Sequence, residues 1–114
     1  MKTTESFNIQ IWVGLRIGYT DTAHSIDDVR DICDKWVNDV KDCVTITPTE
    51  FRYVDGHEEG VIVGYINYPR FPRTKMAILD RAIALGWNLK RGLGQTRVSV
   101  VTPQKTYMLE NDNN

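Results

Sequence analysis

Residues 7–17 read FNIQIWVGLRI. Phe7, Ile9, Ile11, Val13, Leu15 and Ile17 alternate there with Asn8, Gln10, Trp12, Gly14 and Arg16. Successive side chains of a strand point to opposite faces, so strict alternation over this length predicts a strand with one wholly apolar face. A strand this long, with a face this apolar, suits the centre of a sheet.

Outward from this strand, Gly18 to His24 reads as a loop. Ser25, with Asp28 three residues on, is an acidic variant of the capping box and predicts a helix start. Ile26, Val29, Ile32, Cys33, Trp36, Val37 and Val40 recur at three- and four-residue intervals and form one apolar stripe. The other side of that helix carries Asp27, Asp31, Asp34, Lys35, Asp39 and Lys41, a solvated face. CVTITPTEFRYV (43–54) is β-branched and aromatic, hence strand-like. Its apolar phase changes across Pro48, which reads as a bulge on an edge strand.

DGHEEG (55–60) has turn chemistry, VIVGYINY (61–68) returns as the next strand, and PRFPR (69–73) is a loop. Thr74 caps a second helix, whose stripe includes Ile78, Ala82, Leu85 and Leu89 and which ends at Gly92 or Gly94. Gly86 within it marks a close approach to the sheet. QTRVSVV (95–101) is the last core strand, and KTYML (105–109) has the pattern of a short extra one.

The element order β-α-β-β-α-β predicts an α+β, ferredoxin-like sandwich. Two helices cover one face of a four-stranded antiparallel sheet in the order 4-1-3-2. That order puts strand one in the centre and strand two, with its proline, at an edge. The expected domain runs from 7 to 109, between a flexible N-terminus (1–6) and a disordered tail (110–114).

At 114 residues with a net charge of −1, the chain has the size of one domain and no global field for nucleic acid or anionic membrane. No apolar run approaches the ~20 residues of a membrane span, and the N-terminal MKTTESFN lacks the apolar core of a signal peptide, so the cytoplasm is the expected location. Cys33 and Cys43 read as free, buried thiols rather than a disulfide, and with His24 and His57 they show no metal-ligand spacing. No cofactor is implied.

The second face of the sheet is too aromatic for a plain solvent face and too polar for a second core. An RNA-stacking platform fits it poorly, because the third strand lacks the basic residue of that pattern. A polar cluster gathers where loops leave the sheet: Arg16 and Tyr19 after strand one, Tyr53, His57, Glu58 and Glu59 around the hairpin, Arg70 after strand three, Gln95 and Arg97 opening strand four. Seven basic residues face one acid between Arg70 and Arg97, a balance suited to phosphate or carboxylate. No residues complete a hydrolase triad or a phosphate-loop fingerprint.

Over roughly residues 7–101, the element order, the long second hairpin and the glycine-bounded second helix running into strand four resemble the small trimeric PII-like signalling proteins. The chain also resembles the phage-encoded S-adenosylmethionine lyases, which share that architecture. The first resemblance implies a homo-oligomer, a trimer, binding a small anionic or nucleotide-like metabolite between subunits for sequestration or signalling. Arg16, Tyr19, Tyr53, Arg70, Gln95 and Arg97 would hold that ligand. The second implies a lyase using Tyr53, Glu59 (or Glu58) and Gln95, although the acid expected after the glutamine is replaced by Thr96. A protein-binding inhibitor that uses the sheet edge or the acidic helix is a third reading.

Overall fold

The structure, a computed structural model, describes residues 1–111. In chain order the elements are β1 (Ile9–Gly14), α1 (Ile26–Val40), β2 (Thr45–Tyr53), β3 (Gly56–Tyr65), α2 (Lys75–Gly92), β4 (Arg97–Val101) and β5 (Thr106–Glu110). All five strands form one antiparallel sheet in the order β2-β3-β1-β4-β5. β1 lies between β3 and β4, with Ile9, Ile11 and Val13 fully buried. Val61 and Val63 of β3 and Val98 and Val100 of β4 extend that buried face, and Val29, Ile78, Leu85 and Leu89 of the helices cover it.

Several expectations are corrected. The sheet has five strands, not four. Thr102 closes a tight return around Pro103, its amide donating to the Lys105 carbonyl at 2.8 Å and its hydroxyl accepting from the Lys105 amide at 2.9 Å. Residues 106–110 then pair along β4, which becomes an interior strand, its outer row of peptide groups paired by β5. Glu110, placed in the tail by sequence, is the last residue of β5, and 112–114 of that tail lie outside the described residues.

Pro48 marks no bulge. β2 and β3 pair one to one from Thr45 opposite Gly64 to Tyr53 opposite Gly56. The change of apolar phase is a change of face: Ile46 packs against the core, whereas Phe51 lies on the helix-free side over Gly60. The hairpin is also tighter than DGHEEG suggests. Val54 and Asp55 alone join the strands, Asp55 taking a left-handed φ of 61°, so His57, Glu58 and Glu59 belong to β3. Finally, Cys33 is buried but Cys43 is exposed, and both are free. Burial pushes the Cys33 thiol up to about 11, which leaves it protonated and inert.

The helix starts follow local chemistry. At α1, Asp28 Oδ2 accepts from the Ser25 amide at 3.2 Å and lies 2.8 Å from His24 Nδ1. At α2, Thr74 Oγ1 accepts from the Ala77 amide at 3.1 Å. Gly86 faces the sheet closely enough that a Cβ there would lie 2.7 Å from Leu109 Cδ1. The N-terminal segment is tied down at Glu5, whose carbonyl accepts from Asn67 Nδ2 at 2.9 Å and whose carboxylate meets Lys75 at 2.7 Å. Among the described residues no helix is long and apolar enough to cross a membrane, and no three His, Cys, Asp or Glu side chains gather as metal ligands.

Candidate functional site

Strand parity assembles the site. On the helix-free face, Thr49, Gly60 and Gly14 stand side by side across β2, β3 and β1. Continuing the β1–β4 register beyond Trp12 and Ser99 puts Arg97 next in that row. The neighbouring row carries Phe51 opposite Glu58, followed by Arg16. Two adjacent glycines in paired strands leave a shallow floor, which side chains from the surrounding positions overhang.

Those side chains are identified by what a Cβ on Gly14 would meet: Glu58 Oε2 at 2.8 Å and Gln95 Oε1 at 3.1 Å. The hairpin carboxylate and the β4-side amide therefore converge over one point. Gln95 is fixed there by its amide nitrogen, which donates to the Arg16 carbonyl at 2.7 Å and the Leu93 carbonyl at 3.1 Å, leaving its oxygen free to face outward. Arg16 donates to the His57 carbonyl at 2.9 Å and to the Tyr53 hydroxyl at 3.4 Å, closing the hairpin end of the floor. The Phe51 ring lies over Gly60, its centroid 6.2 Å from that of Trp12, so the pair bounds the floor on the side away from Gln95.

Of the residues expected to form a site, the fold thus brings together Arg16, Tyr53, Gln95 and Glu58. Glu59 lies on the other side of β3, opposite Glu50, so adjacent glutamates that look equivalent in sequence serve different faces. Arg97 is in the row beside Gly14, but its Nε is 3.0 Å from Glu110 Oε2. That carboxylate, and secondarily the Tyr19 hydroxyl, raise the Arg97 pKa further. Tyr19 stands fully out in solvent near this rim. Arg70 is elsewhere: it follows the far end of β3 and stacks over Phe71 at 5.3 Å. Gly14, Gly60 and Phe51 join the site only through the pairing register. The signal was present as glycines interrupting strand alternation.

The electrostatics also differ from the sequence expectation of an anion site. Arg16 is spent on the Tyr53 hydroxyl and the His57 carbonyl, Arg97 on Glu110, and Arg52 on Glu50 at 2.9 Å. Glu58 makes no ion pair among the described residues. A separate cleft of about 290 Å³ between the hairpin and the 16–23 loop is lined by Asp21, Glu50 and Glu59 together with Arg16 and Glu58, which reach its edge. Free carboxylate, carbonyl oxygen and aromatic faces suit a ligand that carries positive charge.

The chain shares its fold with phage SAM lyase. One such structure, a phage SAM lyase in complex with S-methyl-5'-thioadenosine, superposes with a TM-score of 0.81 at 18% identity, covering 97% of this chain and 94% of that one. Another, a phage SAM lyase in the apo state, gives 0.77 at 20% identity, covering 95% and 91%. No family model and no curated protein matches the sequence. At these identities the likeness is one of fold.

Proposed function

We propose that the chain is a homo-oligomeric enzyme of the S-adenosylmethionine lyase type, acting on a sulfonium substrate held beside Gly14, between Glu58, Gln95 and the Phe51 ring. The observation that carries this reading is the convergence of Glu58 and Gln95 Oε1 over Gly14 while the nearby guanidinium groups are already paired. Glu58 corresponds to the hairpin acid of that resemblance, while the position after the glutamine is the neutral Thr96. Glu58 and the faces of Tyr53, Phe51 and Trp12 would attract the cationic end, and Gln95 would orient it by hydrogen bonding. Tyr19 and Arg97 would form the rim.

In the proposed reaction the carbon–sulfur bond on the amino-acid side breaks and its electron pair returns to sulfur, giving the neutral thioether S-methyl-5'-thioadenosine. The substrate's own carboxylate forms the new carbon–oxygen bond and closes a lactone, so no external nucleophile is needed. The protein's part is to hold the reacting ends together and exclude water. Half-buried Trp12 with exposed Met108 leaves an apolar surface on the helix-free face. A second subunit, in a trimer, would close the site and cover that surface.

Incubation of the purified protein with S-adenosylmethionine, followed by mass spectrometry, tests this reading. Methylthioadenosine should accumulate, and Glu58→Gln should abolish it, whereas Glu59→Gln should not. The neutral Thr96 favours a second reading, a PII-like binder without turnover. That reading predicts saturable binding of S-adenosylmethionine or methylthioadenosine with no product.

A further inference from the structure

At the other end of β3, about 30 Å along the strand from the hairpin, a cavity of about 540 Å³ opens between the end of α1 and the 66–73 loop. Its size is that of a small-molecule site. At its base lies Asp42, whose side chain is 1% exposed. Asp42 Oδ2 accepts from the Tyr65 hydroxyl at 2.8 Å, and the Tyr65 hydroxyl oxygen in turn accepts from Trp36 Nε1 at 2.7 Å. Arg73 Nη2 approaches Oδ1 at 2.6 Å, an ionic contact without hydrogen-bond direction, and Arg81 stands 3.9 Å from Oδ2.

This arrangement fixes a cation at the cavity wall. The Arg73 side chain is anchored on a buried carboxylate, and its amide donates to Asn67 Oδ1 at 2.9 Å, so both ends of the residue are held. A third of the side chain is still exposed. Lys41, in the left-handed conformation that caps α1, lines the same cavity. Among the charged groups that line the cavity, Lys41 and Arg73 thus outnumber the single Asp42. The remaining wall includes Ile78, Tyr68 and the exposed ring of Phe71. Surplus positive charge with preorganised donors, set in an otherwise apolar cavity, is the recognition chemistry of an organic anion.

We infer that this cavity is a second ligand site, taking a small carboxylate with a flat apolar body. The carboxylate meets Lys41, which makes no ion pair among the described residues, and the exposed edge of the Arg73 guanidinium not turned to Asp42, and the body lies along Phe71 and Tyr68. This inference does not depend on the lyase reading.

The test uses 3-phenylpropionate and its neutral amide as probes in an amide-resolved NMR titration of the full chain. Cys43, exposed on the cavity wall, provides an independent reporter through protection from iodoacetamide, with buried Cys33 as the silent control. The acid should give saturable shifts at 41–43 and 66–73 and slow Cys43 alkylation, with the amide about tenfold weaker. Lys41→Gly suits the left-handed backbone, so it should fold at least as well as wild type while weakening the acid about tenfold. Phe71→Ala, at an exposed position, should weaken acid and amide alike. Neither variant should alter methylthioadenosine binding at the hairpin. No saturation by about 10 mM (near the ~4 kcal/mol of a millimolar complex), equal binding of acid and amide, or shifts confined to 53–58 would each overturn the inference.

Discussion

Gly14 shows how much of the site rests on one missing side chain. Alanine is sterically allowed by its backbone, yet its Cβ would press on Glu58 Oε2 and Gln95 Oε1, the ends of two flexible side chains. Gly14→Ala should therefore fold normally and weaken methylthioadenosine binding by about tenfold or more, roughly the ~1.4 kcal/mol of one displaced contact; calorimetry beside a melting curve reads both. Asp28 makes a prediction of a different kind. Its hydrogen bond with His24, then that with the Ser25 amide, lowers its pKa below 3.8. A carboxylate depressed on folding stabilises above its unfolded pKa and loses that contribution as pH falls through the folded one. Denaturation midpoints should therefore drop as pH falls below about 4, and Asp28→Asn should flatten that part of the profile. An equally steep profile in the variant would assign the acid sensitivity elsewhere. The capping role of Asp28 was legible from its spacing to Ser25. The different roles of Glu58 and Glu59 were not, because a turn and a strand start share the same polar composition and only the pairing register assigns faces.

Among the elements, the two helices and β1 were legible because each buries one continuous stripe or face, and periodicity reports that directly. β2 was found, but its change of face was read as a bulge. The apolar phase of a strand cannot by itself distinguish an inserted residue from a second partner surface. β5 is the element whose weight was most underestimated. Leu109 is 6% exposed and packs against Gly86 of α2, so β5 completes the core rather than decorating its edge. Leu109→Ala should cost about 2–3 kcal/mol in urea denaturation. A cost below about 0.5 kcal/mol would show that β5 is peripheral.

For the whole molecule, the helix-free sheet face is the surface proposed to carry the assembly. Trp12 is only half-buried, and Met108 and the rim of the glycine floor face outward. Light scattering at micromolar concentration should find an oligomer, and Met108→Lys should shift it toward the monomer while reducing ligand affinity if the site lies between subunits. A monomeric wild type would remove the intersubunit site. The sequence by itself determined the element order, the central place of β1 and the helix caps, because all of these follow from local periodicity and short-range hydrogen bonding. Tertiary structure alone decided that Glu58 and not Glu59 meets Gln95, that Arg70 stands at the far end of β3, and that Asp42 fixes Arg73 at a second cavity. Each depends on register between strands distant in sequence. A shift of one residue moves every side chain to the opposite face, a choice made by the packing of the whole sheet against its helices.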